Sequence, residues 1–311
     1  MSRILQIQEQ LLDVSAQANQ IERALTLNQS RALTSSLKSL YKLRSRLEVE
    51  FREAAAIGQV DVVSYRLFEG RERPTMTLVG RAMDSFQTLY AILYSAVATK
   101  KPRDTARLSA EAIQQSSFEF AYAYSGSVGF VFTLPNDRLL FGETKLDEAM
   151  SHLFLLAKAL TSDDIKKFAK LYGFAAVRAV YAWANALCAS GSGVDIEWKK
   201  SEATKDSLIL QPAQIGALRD LIAFTSDLEV DENIFIGVLL GFDSKSHRFR
   251  FEPSEGGAIL HGKVAEDADL PASVTIPKRY RARIKTSSRI RYAVEDPDVT
   301  HELLALSEEV R

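Results

Sequence analysis

The run KRYRARIKTSSRIRY, from Lys278 to Tyr292, carries the strongest chemical signal in the chain. Arg279, Arg281, Arg283, Lys285, Arg289 and Arg291 fall on odd positions, and Tyr280, Ala282, Ile284, Ile290 and Tyr292 on even ones. Successive side chains of a strand point to opposite faces, so the pattern predicts a β-hairpin with up to six cations on one face. Like charges opposite one another on paired strands repel. A face that keeps them suits an anionic partner, above all a phosphate backbone. Arg248 and Arg250 alternate with Phe249 and Phe251 and would extend the patch if their strand pairs nearby. An internal explanation competes with this one. Glu266, Asp267 and Asp269, with Glu295, Asp296 and Asp298, flank the run and are plausible partners within the fold. A basic edge also deters unwanted strand pairing.

Other chemistry is sparse. His152, His247, His261 and His301 share no metal-ligand spacing, and Cys188, the one cysteine, lies far from each of them. Its setting in AVYAWANALCAS predicts a buried, inert thiol. His152 follows Glu148 by four residues, which reads as a surface pair on a helix. Gly142-Glu143-Thr144-Lys145 lacks the long glycine-rich loop of a phosphate cradle, and SGSVGF leads into a strand. The paired acids Asp163/Asp164, Glu266/Asp267 and Glu295/Asp296 read as cap or loop residues. No catalytic, metal or cofactor site is expected, and the reading leans to a non-enzymatic protein.

The elements that must position these residues follow from periodicity. Ile4, Ile7, Leu11, Val14, Ala18, Ile21 and Leu25 step by three and four, the spacing of a coiled-coil seam. The register falters at Leu27-Asn28-Gln29-Ser30, and a second helix runs to Gly58. Residues 1–57 therefore form a helical arm, either an antiparallel hairpin or one long rod. So narrow a seam buries poorly alone and needs cover from a second copy or from the chain's own body; the narrowness favours self-association, which predicts a homo-oligomer. Residues 60–226 read as a mixed body: a strand at 60–68, helices at 76–98, 104–115, 144–160, 162–172 and 174–189, and strands at 194–199 and 208–210. A helix opening at Pro212 completes it. In FEFAYAYSGSVGFVFTLP, a three-residue loop, Gly126-Ser127-Val128, would set Tyr124, Tyr122 and Phe120 against Phe130, Phe132 and Leu134 on a core face. The acidic stretch from Asp227 to Asn233 reads as a linker. After Ile234, five or so short strands predict a small β-barrel, SH3-like or OB-like, at 234–311. The last run, HELLALS, reads as strand or short helix.

The 311 residues have a net charge of −1, so any electrostatic function needs local segregation of charge. Residues 234–311 hold twelve Lys and Arg and twelve Asp and Glu, a neutral segment with one cationic face. No apolar run approaches the ~20 residues of a membrane span. The polar start MSRILQIQEQ is not a signal peptide, so the expected setting is cytoplasmic, without a membrane. The fold class is α+β, in three parts. The leading expectation is an oligomerising protein that binds nucleic acid through the basic barrel face. The alternative is an adaptor or regulatory subunit of a bacterial multi-protein system, docking an acidic protein through arm or barrel.

Overall fold

A computed structural model describes residues 3–27, 29–68, 75–124, 128–136, 143–200, 205–294 and 298–308. The fold is mixed α+β and divides into two compact units, Met1–Ala223 and Phe224–Arg311.

In the first unit, α1 (Arg3–Leu27) and α2 (Arg31–Ile57) form a helical hairpin. Ser30 starts α2 as an N-cap, accepting a hydrogen bond from the Leu33 amide. The Ile4 side chain reaches Gly58, so the start of α1 lies beside the end of α2, and the single-rod alternative is not what forms. The seam finds its cover inside the chain. Ile7, Leu11 and Val14 of α1 and Leu47, Phe51 and Ala54 of α2 pack with Val62, Ala121, Tyr122 and Val131 of a sheet. The exposed seam that motivated self-association is therefore absent from this fold.

That sheet has the order β2-β3-β1-β4-β5, antiparallel throughout: β1 (Val60–Phe68), β2 (Glu119–Tyr124), β3 (Val128–Pro135), β4 (Gly193–Lys199) and β5 (Lys205–Leu210). The unit's remaining helices are α3 (Met76–Thr99), α4 (Ala110–Ser116), α5 (Lys145–Ala157), α6 (Ser162–Tyr172), α7 (Phe174–Ser190) and α8 (Pro212–Phe224). Tyr65 of β1 packs on Phe86 of α3 and accepts a hydrogen bond from the Trp183 indole of α7 at 3.1 Å. One face of the sheet thus carries the hairpin, and the other carries α3 and α7.

The aromatic strand departs from its expected register. Phe120 opposes Phe132, but a bulge at Ala121 sets Tyr122 against Val131. The bulge reverses the strand's facing. Tyr122 meets Phe51 edge-on at 5.4 Å under the hairpin, whereas Phe118 stacks on Phe86 and Tyr90. Among the described residues these aromatics divide between the two sides of the sheet. The Gly126–Ser127 part of the expected loop lies outside the described residues. The expected helix at 104–115 is only the short α4.

The described residues of the second unit form five strands: β6 (Ser226–Asp243), β7 (Arg248–Pro253), β8 (Leu260–Asp269), β9 (Lys278–Arg291) and β10 (Asp298–Glu308). Their pairings close on themselves in the order β10-β8-β7-β6-β9. All pairs are antiparallel except β8 with β10. HELLALS belongs to strand β10. Leu239, Phe249, Phe251, Tyr280, Ala282, Ile284 and Leu303 fill the interior.

Two expectations about this unit need correction. The stretch 278–292 is not a hairpin. β9 runs unbroken from Lys278 to Arg291, because β6 pairs with it along its whole length, through Thr286-Ser287-Ser288. The expected linker, Asp227 to Asn233, is the strand half that does this. With those acids counted, residues 224–311 hold sixteen Asp and Glu against twelve Lys and Arg.

Candidate functional site

The odd-numbered cations of β9 do share one outward face, since Tyr280, Ala282 and Ile284 are fully buried behind them. They are unevenly answered. Lys285 meets Glu302 at 3.3 Å and Arg291 meets Asp298 at 3.7 Å, while Lys278, an even-numbered cation at the start of the strand and outside the row, meets Glu308 at 2.6 Å. Arg281, Arg283 and Arg289 are exposed and form no ion pair among the described residues. Of the acids proposed as their partners, Glu266, Asp267 and Asp269 sit on β8, which does not pair with β9, and among the described residues Asp298 alone of that set reaches a β9 cation. Glu295 and Asp296 lie outside the described residues.

Arg248 and Arg250 do not extend this row. β7 is separated from β9 by β6 on one side and by β8 and β10 on the other. They build a second group instead. Phe249 and Phe251 turn inward, so both arginines face outward, and the register sets Arg248 opposite Lys263 and Arg250 opposite His261. A groove of about 960 Å³ opens over them, lined by Phe242, Arg248, Arg250, His261, Lys263 and Ile276.

Its rim is held by local bonds. Asp243 closes the β6–β7 turn, accepting from the Ser246 hydroxyl at 2.5 Å and from the Lys245 and Ser246 amides at 2.8 and 3.2 Å. The Ser246 hydroxyl first, then those amides, hold its carboxyl below the usual range, so this acid serves the turn and stays charged. Tyr280 fixes the β8–β9 loop by accepting from the Thr275 amide at 2.9 Å, which places Ile276 at the groove. Gly262 lets β8 lie tight against β10; a Cβ there would sit 1.9 Å from the His301 carbonyl oxygen. Burial first, and the His261 charge second, keep the His301 imidazole below its ordinary value. Arg248, Arg250 and Lys263 are exposed, and none forms an ion pair among the described residues.

His261, Lys263 and Phe242 were not foreseen from sequence. The alternation His261-Gly262-Lys263 was the available signal, but nothing local said which strand β8 would join.

Other clusters are committed to structure. A cleft of about 680 Å³ lies between the hairpin and its sheet, lined by Tyr41, Arg44, Glu48, Arg66 and Asp195 among others. Its charges answer each other: Arg44 donates to Glu48 at 2.9 Å, Arg66 to Asp195 at 2.7 Å, and Tyr41 to Glu22. Deep in the first unit, the Asn136 amide donates to Asp61 at 3.0 Å and to Asp147 at 3.3 Å, and the Trp198 indole donates to Asp61 at 3.1 Å. Asp147 also accepts from the Thr144 amide, closing the capping box of α5. His152 contacts Tyr172 at 2.7 Å and Glu148 at 3.5 Å. Cys188 is half-buried, and burial raises its thiol pKa, the opposite of an activated nucleophile. Among the described residues, no group of three His, Cys, Asp or Glu could hold a metal ion, and no helix is long and apolar enough to cross a membrane.

No family model, curated protein or solved structure matches the chain.

Proposed function

We propose that the protein binds single-stranded nucleic acid, without catalysis of its own, by leading the phosphate backbone through the β7–β8 groove. The strand order supports this reading. Numbered from β6, the closed sheet runs 1-2-3-5-4 with its third and fifth strands parallel, an order that supports an OB-type reading. Barrels of that type bind oligonucleotides and oligosaccharides across their second and third strands, here β7 and β8. Charge favours the nucleotide. The observation that carries the proposal is the placement of Arg248, Arg250 and Lys263, exposed and outside any ion pair among the described residues, on that face of an otherwise acidic unit. The exposed His261 ring, on the same face, offers a base a stacking partner. The β9 row takes no part in this groove. One copy suffices, since the hairpin seam is covered within the chain. A cytoplasmic setting belongs to the same proposal.

The test is fluorescence anisotropy with labelled oligo(dT) and oligo(U) of about 15 nucleotides at about 50 mM salt. Binding is expected. It should fall at least about tenfold in the Arg248→Ala/Arg250→Ala variant, the loss of two phosphate contacts. Absence of binding, or binding indifferent to that variant, rejects the proposal.

A further inference from the structure

A different surface of the second unit has its own chemistry. Leu228, Val230, Ile234 and Ile236 run along the outward side of β6, each 42% to 60% exposed. The register sets them beside the β9 cations: Leu228 opposite Arg289, Ile234 opposite Arg283, and Ile236 opposite Arg281. An apolar row therefore lies flank to flank with a cationic one. Glu232 interrupts the apolar row, and Lys285 opposite it is engaged by Glu302 at 3.3 Å, which leaves Ile234, Ile236, Arg281 and Arg283 as the larger patch. Contiguous apolar patches rimmed by charge mark interaction surfaces.

We infer that this face docks an acidic, amphipathic segment of a protein partner. Arg281 and Arg283 present planar forks suited to carboxylates, and Ile234 and Ile236 gain from apolar cover. Nucleic acid fits less well, because the row is aliphatic and offers no ring for stacking. A second copy of the same face would set arginine against arginine. The face is separate from the β7–β8 groove, so its role does not depend on nucleic-acid binding.

The experiment is selection of a displayed random-peptide library on the full chain, followed by anisotropy with the winning peptides as probes. Acidic, apolar-rich sequences are expected. Their affinity should fall at least about tenfold with Arg281→Glu/Arg283→Glu and again with Ile234→Ser/Ile236→Ser, as expected for anchors at the centre of an interface. Lys170→Glu, on an exposed face of α6, should leave it unchanged. All four substituted side chains are exposed, so thermal midpoints should stay at the wild-type value. No enrichment, enrichment without acids, or affinity indifferent to both double variants overturns the inference. So does vesicle binding (phosphatidylglycerol in phosphatidylcholine) that vanishes in those variants, which assigns the face to a lipid surface. A wild-type dimer that they convert to monomer assigns it to a second copy and overturns it equally.

Discussion

Phe51→Ala probes whether the helical hairpin is part of the core. Phe51 is fully buried between α2 and the sheet and meets Tyr122 edge-on at 5.4 Å. Its truncation removes the ring's transfer free energy and leaves a cavity in a cluster drawn from α1, α2 and three strands. Such changes cost about 3–5 kcal/mol, a large share of the ~5–15 kcal/mol that holds a domain together. The edge-on ring pair accounts for about 0.5–1.5 kcal/mol beyond area burial. Urea unfolding, followed by tryptophan fluorescence, reads the loss, because Trp183 and Trp198 are both buried in the same unit. The wild-type midpoint should also be independent of protein concentration. A seam shared between copies would make it rise with concentration. A loss under about 1 kcal/mol, far below that range, or a 58–311 truncation that unfolds at the wild-type midpoint, refutes the packing described.

Other outcomes follow from single residues. Gly262→Ala should destabilise the second unit strongly and abolish the groove, because the new methyl would meet backbone 1.9 Å away at His301; a variant with wild-type melting contradicts that approach. His301 should make stability fall with acid. Its folded pKa lies below the ordinary 6.5, so the unfolded chain takes up the proton first. The stability is present above 6.5 and is lost as pH falls toward the folded value. Urea midpoints measured at about pH 7.5 and 5.5 should drop more in wild type than in His301→Gln, and equal drops refute the assignment.

Much of the fold was legible because periodicity is local. The a/d spacing from Ile4 to Leu25 gave α1, and the break before Ser30 gave the hairpin as one of two options. What covers the seam is set by β1–β3, distant in sequence. The one-faced row on β9 survived a wrong turn assignment, since a three-residue turn at Thr286-Ser287-Ser288 would keep the parity of a continuous strand. Thr286-Ser287-Ser288 looks like a turn, but pairing with β6 supplies partners to its backbone and overrides that propensity. Asp227, Glu229 and Asp231 alternate with Leu228 and Val230, a period of two that acidity disguised as a linker. The bulge at Ala121 has no residue signature. Half of the candidate site was visible in the parity of Arg248 and Arg250. The other half, His261 and Lys263, depended on β8 lying between β7 and β10, and a parallel pairing of β8 with β10 cannot be read from a local pattern.

The central claim is that three cations of one groove hold a phosphate backbone, and its most direct test is a salt titration. Three contacts to a single strand predict a slope of about −2 in log affinity against log salt. Between about 50 and 200 mM salt, affinity should then fall roughly twentyfold. Arg248→Ala/Arg250→Ala leaves Lys263 alone and should flatten the slope to about −0.7. A wild-type slope near zero, or one that the double substitution leaves unchanged, contradicts the account.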